Sequence, residues 1–258
     1  MLPTSCSHPL MRRHTLALLA AGLLAAPALS AQIIVTETGT VYATGSLSSA
    51  ATFGASMSGM RVTAHFADGL VLAAAWGDLG DGVFGAATDR FRLAFPGEVN
   101  TGSPGSHLWT LDNLWTGGLT RVVLSGAPGR TVFDMNGDDE LTPNSALGIA
   151  FALGPDDEGL SSPYATGTTA HYRNAVALVG AAPLGDVFEE LDVVFGVALA
   201  GGVGVTFDLD TDSVGEGSAI TPAPTTTVTP EPASVALLGG GLAGVALVGA
   251  RRRRPTQG

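Results

Sequence analysis

Frequent turn residues divide the sequence between residues 31 and 220 into short apolar stretches, and this pattern limits the folds that the chain can adopt. The 258 residues include 36 Gly and 15 Pro, a share that favours many turns and short strands over long helices. Several stretches alternate apolar and polar residues with period two, as RVTAHF at 61–66 does. We therefore predict a mainly β body with the architecture of a β-sandwich or jelly roll.

About ten strands are expected in this body. In chain order the candidates are 32–44, 60–66, 70–76, 90–95, 107–115, 119–126, 131–135, 175–180, 191–199 and 204–210. Asp68 and Gly69 separate the second candidate from the third, and this dipeptide suits a tight hairpin. One helix is expected in PLGDVFEEL, near residues 183–191.

The start of the chain has the three parts of a secretory signal: two arginines, an apolar run and a set of small residues. This order predicts a signal peptide over residues 1–30, handled by the Sec translocon and cut between Ser30 and Ala31. Translation can begin at Met1 or Met11, because the signal is complete after either one.

The end of the chain predicts a membrane-spanning tail. A Thr/Pro linker at 221–229 is followed by Pro230, Glu231 and Pro232, and then by 18 residues without charge, 233–250. A helix of that length reaches roughly 27 Å, enough for a thin bilayer. Four arginines close the segment, and a cationic cluster directly after a span stays cytoplasmic. These are Arg251, Arg252, Arg253 and Arg254, and residues 255–258 follow them.

The order of motif, apolar span and arginine cluster at 230–254 resembles the PEP-CTERM sorting signal. Exported proteins of Gram-negative bacteria that make extracellular polysaccharide carry such signals. The resemblance implies handling by an exosortase, a membrane-embedded cysteine transpeptidase, with a transient stage in the inner membrane and then release or attachment at the cell surface. The alternative is an ordinary carboxyl-terminal anchor. The body resembles other PEP-CTERM ectodomains more loosely, which supports a β-rich fold and implies no activity.

The charge of the body excludes some partners. Residues 31–229 hold 22 carboxylates and 6 arginines, a formal charge of −16. Such a surface repels nucleic acid and anionic lipid. The single cysteine, Cys6, precedes the body, so no disulfide and no cysteine metal site is expected there.

Two acidic segments are candidate calcium sites. They contain Asp134, Asn136 and Asp138 in the first case, and Asp208, Asp210 and Asp212 in the second. The first segment has Asp139 and Ser145 where an EF-hand has Gly at position 6 and Glu at position 12. The second is expected to place three carboxylates on one side of a strand, where they repel one another unless water or a cation separates them. The alternative for both is an acidic turn, and no other cofactor is indicated.

Catalytic motifs are missing from the sequence, which contains neither HExxH nor GxSxG. We expect no enzyme, although abundant carboxylates leave a glycosidase open. Five aromatic residues can stack on sugars if they are exposed, or else belong to the core. They are Trp76, Trp109, Trp115, Tyr164 and Tyr172. Trp109 and Trp115 are six residues apart and share a face if the strand between them is straight.

These features predict an exported structural or adhesive protein of the cell surface or biofilm matrix, in contact with extracellular polysaccharide. A secreted carbohydrate-binding or glycan-hydrolysing module is the alternative. Exposed tryptophans on a concave sheet, or two carboxylates facing each other across a cleft, favour the alternative. A buried tryptophan pair favours the structural role.

Overall fold

The computed structural model describes residues 33–37, 39–48, 52–95, 98–99, 109–135, 141–145, 148–154 and 163–223. Within these residues the chain is mainly β, as predicted, and contains no α-helix. The strands are β1 (Ile33–Glu37), β2 (Tyr42–Thr44), β3 (Leu47–Ser48), β4 (Thr52–Phe53), β5 (Arg61–Phe66), β6 (Val71–Ala75), β7 (Gly77–Gly80), β8 (Val83–Ala87), β9 (Phe91–Phe95), β10 (Glu98–Val99), β11 (Trp109–Asn113), β12 (Leu119–Ser125), β13 (Thr131–Asp134), β14 (Ala152–Leu153), β15 (Thr169–Leu178), β16 (Val187–Leu199), β17 (Gly204–Asp208), β18 (Asp210–Val214) and β19 (Thr221–Pro222). Short 3₁₀ helices span Gly54–Met57 and Ala127–Gly129.

Two large sheets account for most of these strands. The first has 11 strands, with the central order β19-β2-β15-β16-β12-β5-β6 and with β1, β3, β13 and β18 attached beside it. The second has six strands in the order β14-β17-β11-β9-β8-β7, and β4 pairs separately with β10. Nearly all pairs are antiparallel, but β1 and β2 both run parallel to β15.

The two large sheets share one hydrophobic core. Its buried members include Val62, Leu124 and Leu191 from the first sheet, and Leu93 and Leu111 from the second. A smaller apolar cluster lies apart from this core and contains residues of β3, β13, β15, β16 and β18. The first sheet therefore buries apolar residues on both faces along part of its width.

The prediction of a helix near 183–191 is wrong, because Val187 begins the 13-residue strand β16. The start of this strand is buried on both faces: Val187 belongs to the smaller cluster and Phe188 to the main core. A strand buried on both faces loses the period-two alternation that identifies strands in a sequence. Glu189 sits among these residues and accepts hydrogen bonds from the backbone of Ala127 and the side chain of Asn174.

The chain changes sheets at Leu209, between β17 in the second sheet and β18 in the first. The indole nitrogen of Trp109 donates a hydrogen bond to the Leu209 carbonyl over 3.2 Å. Asp208 and Asp210 therefore belong to different sheets. The expectation that Asp208, Asp210 and Asp212 share one side of one strand is wrong for Asp208, because the strand ends between them.

The predicted hairpin at Asp68 and Gly69 is present. Gly69 has a φ of 87°, a conformation that glycine adopts without strain. Its amide donates to the carbonyl of Phe66 over 3.0 Å, and the Asp68 carboxylate accepts a hydrogen bond from the Leu70 amide over 3.0 Å. This turn joins β5 to β6 in antiparallel register.

The first described strand pairs with β15, and the last is separated from β15 by one strand. β1 begins at Ile33, two residues beyond the predicted cleavage site, and pairs with residues 169–173 of β15. β19, at the start of the predicted linker, pairs with β2, which in turn pairs with residues 176–178. The first two residues of the linker are therefore hydrogen-bonded to the body.

We expect Leu111→Ala to lower the free energy of unfolding by about 2–5 kcal/mol, because Leu111 is fully buried between the two sheets. Val71→Ala is the matched control: Val71 is 52% exposed on β6, so its truncation should change stability by less than about 1 kcal/mol. Urea denaturation of both variants measures the difference. Equal losses for the two would contradict a core shared by the two sheets.

Candidate functional site

The pairing of β13 with β18 brings the two predicted acidic segments together. In this antiparallel pair Asp134 lies opposite Asp210, and Val132 lies opposite Asp212. Residues opposite each other share a face of the sheet, as do residues two apart in one strand. The carboxyl groups of Asp134, Asp210 and Asp212 therefore meet on one face.

A fourth carboxyl group completes this cluster. Asp186 precedes β16, and its carbonyl accepts a hydrogen bond from the amide of Met135, the residue after β13. We call Asp134, Asp186, Asp210 and Asp212 the carboxyl cluster. All four are at most 1% exposed. In the part of the chain that the structure describes, none of the four forms a salt bridge.

Residues 141–145 and 148–149 supply hydroxyl and backbone groups to the cluster. Thr142 donates to Asp186 from its backbone amide and, over 2.6 Å, from its hydroxyl. The Ile149 carbonyl accepts a hydrogen bond from the Asp210 amide over 3.1 Å. Asp186 is therefore held by two donors, which distinguishes it from the other three carboxyl groups.

Ser145 lies between two carboxyl groups. Its Oγ is 2.9 Å from Oδ2 of Asp134 and 2.5 Å from Oδ2 of Asp212. A hydroxyl has one hydrogen to donate, so either the two carboxyl groups share this hydrogen, or one of them carries a proton and donates it to Ser145. In both arrangements a single hydroxyl joins Asp134 to Asp212.

Two oxygens of the cluster have no hydrogen-bond partner, Oδ1 of Asp134 and Oδ2 of Asp210. Buried polar atoms without partners are rare and destabilising, by about 1–3 kcal/mol each. The remaining oxygen of Asp210 accepts a hydrogen bond from the Thr211 amide over 2.8 Å. The cluster therefore contains strong acceptors that the described residues leave unused.

Burial is the main cause of the raised pKa values in the cluster. It raises the pKa of Asp134 to about 8, with the Asp212 charge as the next contribution. The pKa of Asp210 rises to about 7 for the same two reasons. Burial also raises the pKa of Asp212 to about 6, although the hydrogen bond with Ser145 works against this shift.

Gly148 lets the backbone approach the cluster closely. A methyl group at this position would overlap the Asp134 carboxyl group and lie 2.7 Å from the Asp134 carbonyl carbon. Only glycine fits there without movement of the neighbouring backbone.

The sequence pointed to only part of this cluster. Asn136 and Asp138 lie outside the described residues, and Asp208 is in the other sheet. No pattern in the sequence linked Asp186, Thr142 and Ser145 to one another. The cluster forms through strand pairing between residues that are far apart in the sequence. Among the described residues, no group of three or more Asp, Glu, His or Cys side chains is arranged to hold a metal ion by itself. Calcium binding stays a prediction.

Asp192, a buried acid outside the cluster, is paired with arginine. Arg121 binds it through two nitrogens, over 2.6 Å and 2.9 Å, and Arg173 contacts it over 2.8 Å. Arg173 continues to Glu37 over 2.6 Å, and His171 contacts the same carboxylate over 2.6 Å. The hydrogen bond with Arg173, followed by the one with His171, lowers the pKa of Glu37. This network ties β1 to β15, and every charge in it has a partner.

Most of the candidate sugar-stacking residues belong to the core. Trp76 and Trp109 are buried, with ring centroids 5.0 Å apart. The hydroxyl of Tyr172 is buried and accepts a hydrogen bond from the Phe151 amide over 2.7 Å. Strand β11 ends before Trp115, so Trp115 does not share a strand face with Trp109.

Trp115 and Tyr164 are partly buried at the edge of the core. The Trp115 indole donates to Asp68 over 3.0 Å, and the Arg90 guanidinium lies 3.5 Å from its ring centroid. One face of this ring is therefore already occupied by a cation–π contact.

The predicted processing sites lie outside the described residues. These are Ser30 and Ala31, Pro230, Glu231 and Pro232, and Arg251, Arg252, Arg253 and Arg254. The predicted span at 233–250 lies outside them as well. Where the structure does describe the chain, none of its helices has the length and apolar character needed to cross a bilayer.

Comparison with protein families identifies one segment. Residues 228–254 match the model of the PEP-CTERM protein-sorting motif. Comparison with curated proteins and with solved structures gave no match. The family match is therefore confined to residues 228–254.

We predict that stability falls as pH rises from about 5 to about 8.5 in buffer that contains a chelator. A carboxyl group whose pKa is higher in the folded than in the unfolded chain stabilises the fold at low pH. That contribution is lost as the pH rises through the folded values, which lie at about 6 to about 8. Thermal unfolding across this range measures the effect, and Asp134→Asn should make the profile flatter. A midpoint that is constant or increases would contradict the raised pKa values.

Gly148→Ala should destabilise the protein by about 1–3 kcal/mol, because the added methyl group overlaps the Asp134 carboxyl group. Gly77→Ala is the control. Gly77 lies in β7 with open space around it, and we expect a change within about 0.5 kcal/mol. Chemical denaturation compares the free energies of unfolding of the two variants. An unchanged free energy of unfolding for Gly148→Ala would show that Gly148 does not pack closely against Asp134.

Proposed function

Because this chain carries a PEP-CTERM protein-sorting motif at residues 228–254, we propose that it is a structural or adhesive component of the cell surface or biofilm matrix. The motif implies export, exosortase processing at the membrane and delivery to the cell surface. The observation that carries the proposal is this match, since a sorting motif implies that the folded body acts at the cell surface.

We propose that the body acts through its exposure at the cell surface. Its formal charge of −16 over residues 31–229 keeps it soluble and repels anionic surfaces. Neutral or cationic matrix components and divalent cations are compatible with such a surface. The proposal includes no reaction catalysed by the body.

The buried aromatic residues support this role over the carbohydrate-binding alternative. Sugar-binding sites stack the ligand on an open aromatic face, and Trp76, Trp109 and Tyr172 are at most 2% exposed. The cluster carboxyl groups are enclosed too, which disfavours their use as a glycosidase pair, because such a pair must reach a bound sugar.

We also propose the finer fold class of a β-sandwich for the body. The shared core between the 11-stranded and six-stranded sheets supports this class. The body then extends to Pro222, with the remaining linker between it and the motif.

Intact-mass measurement of the protein recovered from its own cells and medium tests the proposal. We expect a mature chain that starts near Ala31 and ends close to Pro230. Replacing Pro230, Glu231 and Pro232 with alanine should leave the arginine cluster attached, and the uncut chain should accumulate in the membrane fraction.

Pro224→Ala is the control for this experiment, because it removes a linker proline without touching the motif. It should be processed as the unaltered chain is. Recovery of the unaltered protein from the membrane fraction with Arg251–Arg254 still attached would contradict exosortase sorting and indicate a permanent anchor.

A further inference from the structure

We propose that the outer face of the first sheet binds a second copy of this chain, in a symmetric dimer in which Arg61 of each copy pairs with Glu190 of the other. The outer face is the side that points away from the main core, across the neighbouring strands β1, β15, β16, β12, β5 and β6. This contact goes beyond exposure at the cell surface, because it gives the folded body a partner and a particular surface for it.

The alternation of side chains along the strands identifies the outer face. In β5, Arg61, Thr63 and His65 point outward and alternate with buried residues of the main core. The adjoining strands alternate in the same way, and apart from Asp192 their outward residues are partly or fully exposed. These residues are Val35, Glu37, Thr169, His171, Arg173, Glu190, Asp192, Val194, Arg121, Val123, Ser125, Val71, Ala73 and Ala75.

The outer face carries no net charge, although the body is strongly anionic. Residues 31–229 have a formal charge of −16, but the outward residues include as many arginines as carboxylates. Glu189 adds no charge to the surface, since it is 5% exposed and bonded to Ala127 and Asn174. Anionic bodies repel one another, and this repulsion is weakest where both surfaces are neutral. The charged residues of the face are Arg61, Arg121, Arg173, Glu37, Glu190 and Asp192.

One row of residues across this face is complementary to itself. Ser125 of β12 lies opposite Arg61 of β5 on one side and opposite Glu190 of β16 on the other. Neighbouring strands are about 4.8 Å apart, so the two charged residues flank Ser125 at similar distances. A two-fold axis over Ser125 and parallel to the strands therefore places Arg61 of each copy over Glu190 of the other. Such reciprocal contacts are those of an isologous interface.

Neither member of this pair has a full partner within one copy. Among the described residues, Arg61 forms no salt bridge. Glu190 contacts Arg173 over 3.5 Å, but the same guanidinium binds Asp192 more closely, over 2.8 Å. Burial, followed by the charge of Glu189, raises the pKa of Glu190. A guanidinium from a second copy would therefore meet a carboxylate that its own chain satisfies incompletely.

The side chains near the axis are compatible with this pairing. Arg121 would face its own copy, but Asp192 binds it through two nitrogens and balances its charge. Val123 follows on the same side of β12 and would pack against the Val123 of the second copy. Val194 and Val71 are 37% and 52% exposed on this face, so the dimer would remove apolar surface from water.

The outer face is large enough for a specific dimer. Six strands about 4.8 Å apart, each with about five residues of about 3.3 Å, cover roughly 500 Å². Two such faces bury roughly 1,000 Å² together, the area at which specific interfaces begin. Sheets pack face to face in this way, with nearly aligned strands, inside β-sandwiches.

Sedimentation velocity of the processed protein, purified from its own cells and measured over a dilution series, tests the proposal. We expect a dimer that dissociates on dilution. Arg61→Glu and Glu190→Arg should each weaken it by about tenfold or more, because each places like charges together. The two substitutions combined should restore the dimer, since they exchange the charges of one pair.

Arg92→Glu is the matched control for these variants. It makes the same change of charge on the second sheet, where Arg92 is only 3.8 Å from Asp112 at the surface, and it should leave the dimer intact. A processed protein that is monomeric at every concentration would overturn the proposal and leave the face to another partner, such as a neutral polysaccharide. A combined variant no better than the single ones would overturn the Arg61–Glu190 pairing.

Chemical cross-linking serves if the charge variants do not fold. Cys6 is the single cysteine and precedes the predicted cleavage site, so Ser125→Cys gives the processed protein one thiol beside the axis. Face-to-face sheets are about 10 Å apart, and a bismaleimide of that span should join two copies. Thr206→Cys, on the outer side of the second sheet, should not be joined. Equal cross-linking of both variants would contradict the interface, and neither outcome depends on how the tail is processed.

Discussion

The antiparallel pairing of β13 with β18 is the contact on which the carboxyl cluster depends. It connects a strand from the middle of the chain with the strand that follows the change of sheet at Leu209. The same pairing places Asp134 opposite Asp210, and β16 and β3 attach on either side of the pair. The Trp109 indole fixes the crossing point from the core of the two sheets. The position of the carboxyl groups is therefore set by one pair of short strands.

The buried acidic side chains of the body have two different kinds of partner. Asp192 has two arginine partners in a network that also includes Glu37 and His171. Asp134, Asp210 and Asp212 have hydroxyl and amide partners but no cation among the described residues. Burying an acid without a positive partner shifts the balance toward its neutral form. With six arginines for 22 carboxylates over residues 31–229, the body has few positive partners for its buried acids.

The sequence predicted the strands better than their arrangement. Period-two stretches and turn residues located most strands, including β5, β6 and the Asp68–Gly69 hairpin between them. The prediction of a helix near 183–191 was wrong because the start of β16 is buried on both faces. The sequence there therefore lacks the alternation of apolar and polar residues that identifies a strand. A sequence carries no direct sign that a chain passes from one sheet to another between Asp208 and Asp210.

The cluster illustrates the same limit. Its acidic residues were visible as two separate segments, but strand register decides that Asp134 meets Asp210 and leaves Asp208 apart. Ser145 and Asp186 became members only through contacts made over long distances in the chain. The sorting motif at 228–254, by contrast, was predictable from the sequence, because it is a linear pattern and no fold has to be known to find it.

The position of β19 has a mechanical consequence. If the tail end is where the protein is held, a pull on the linker reaches the body first at Thr221 and Pro222. This strand pairs with β2 through only two residues, aided by the hydrogen bond from the Ala223 amide to the Val41 carbonyl. Such a short strand would detach under a modest load and lengthen the tether before β15 and β16, the long central strands, carry any force.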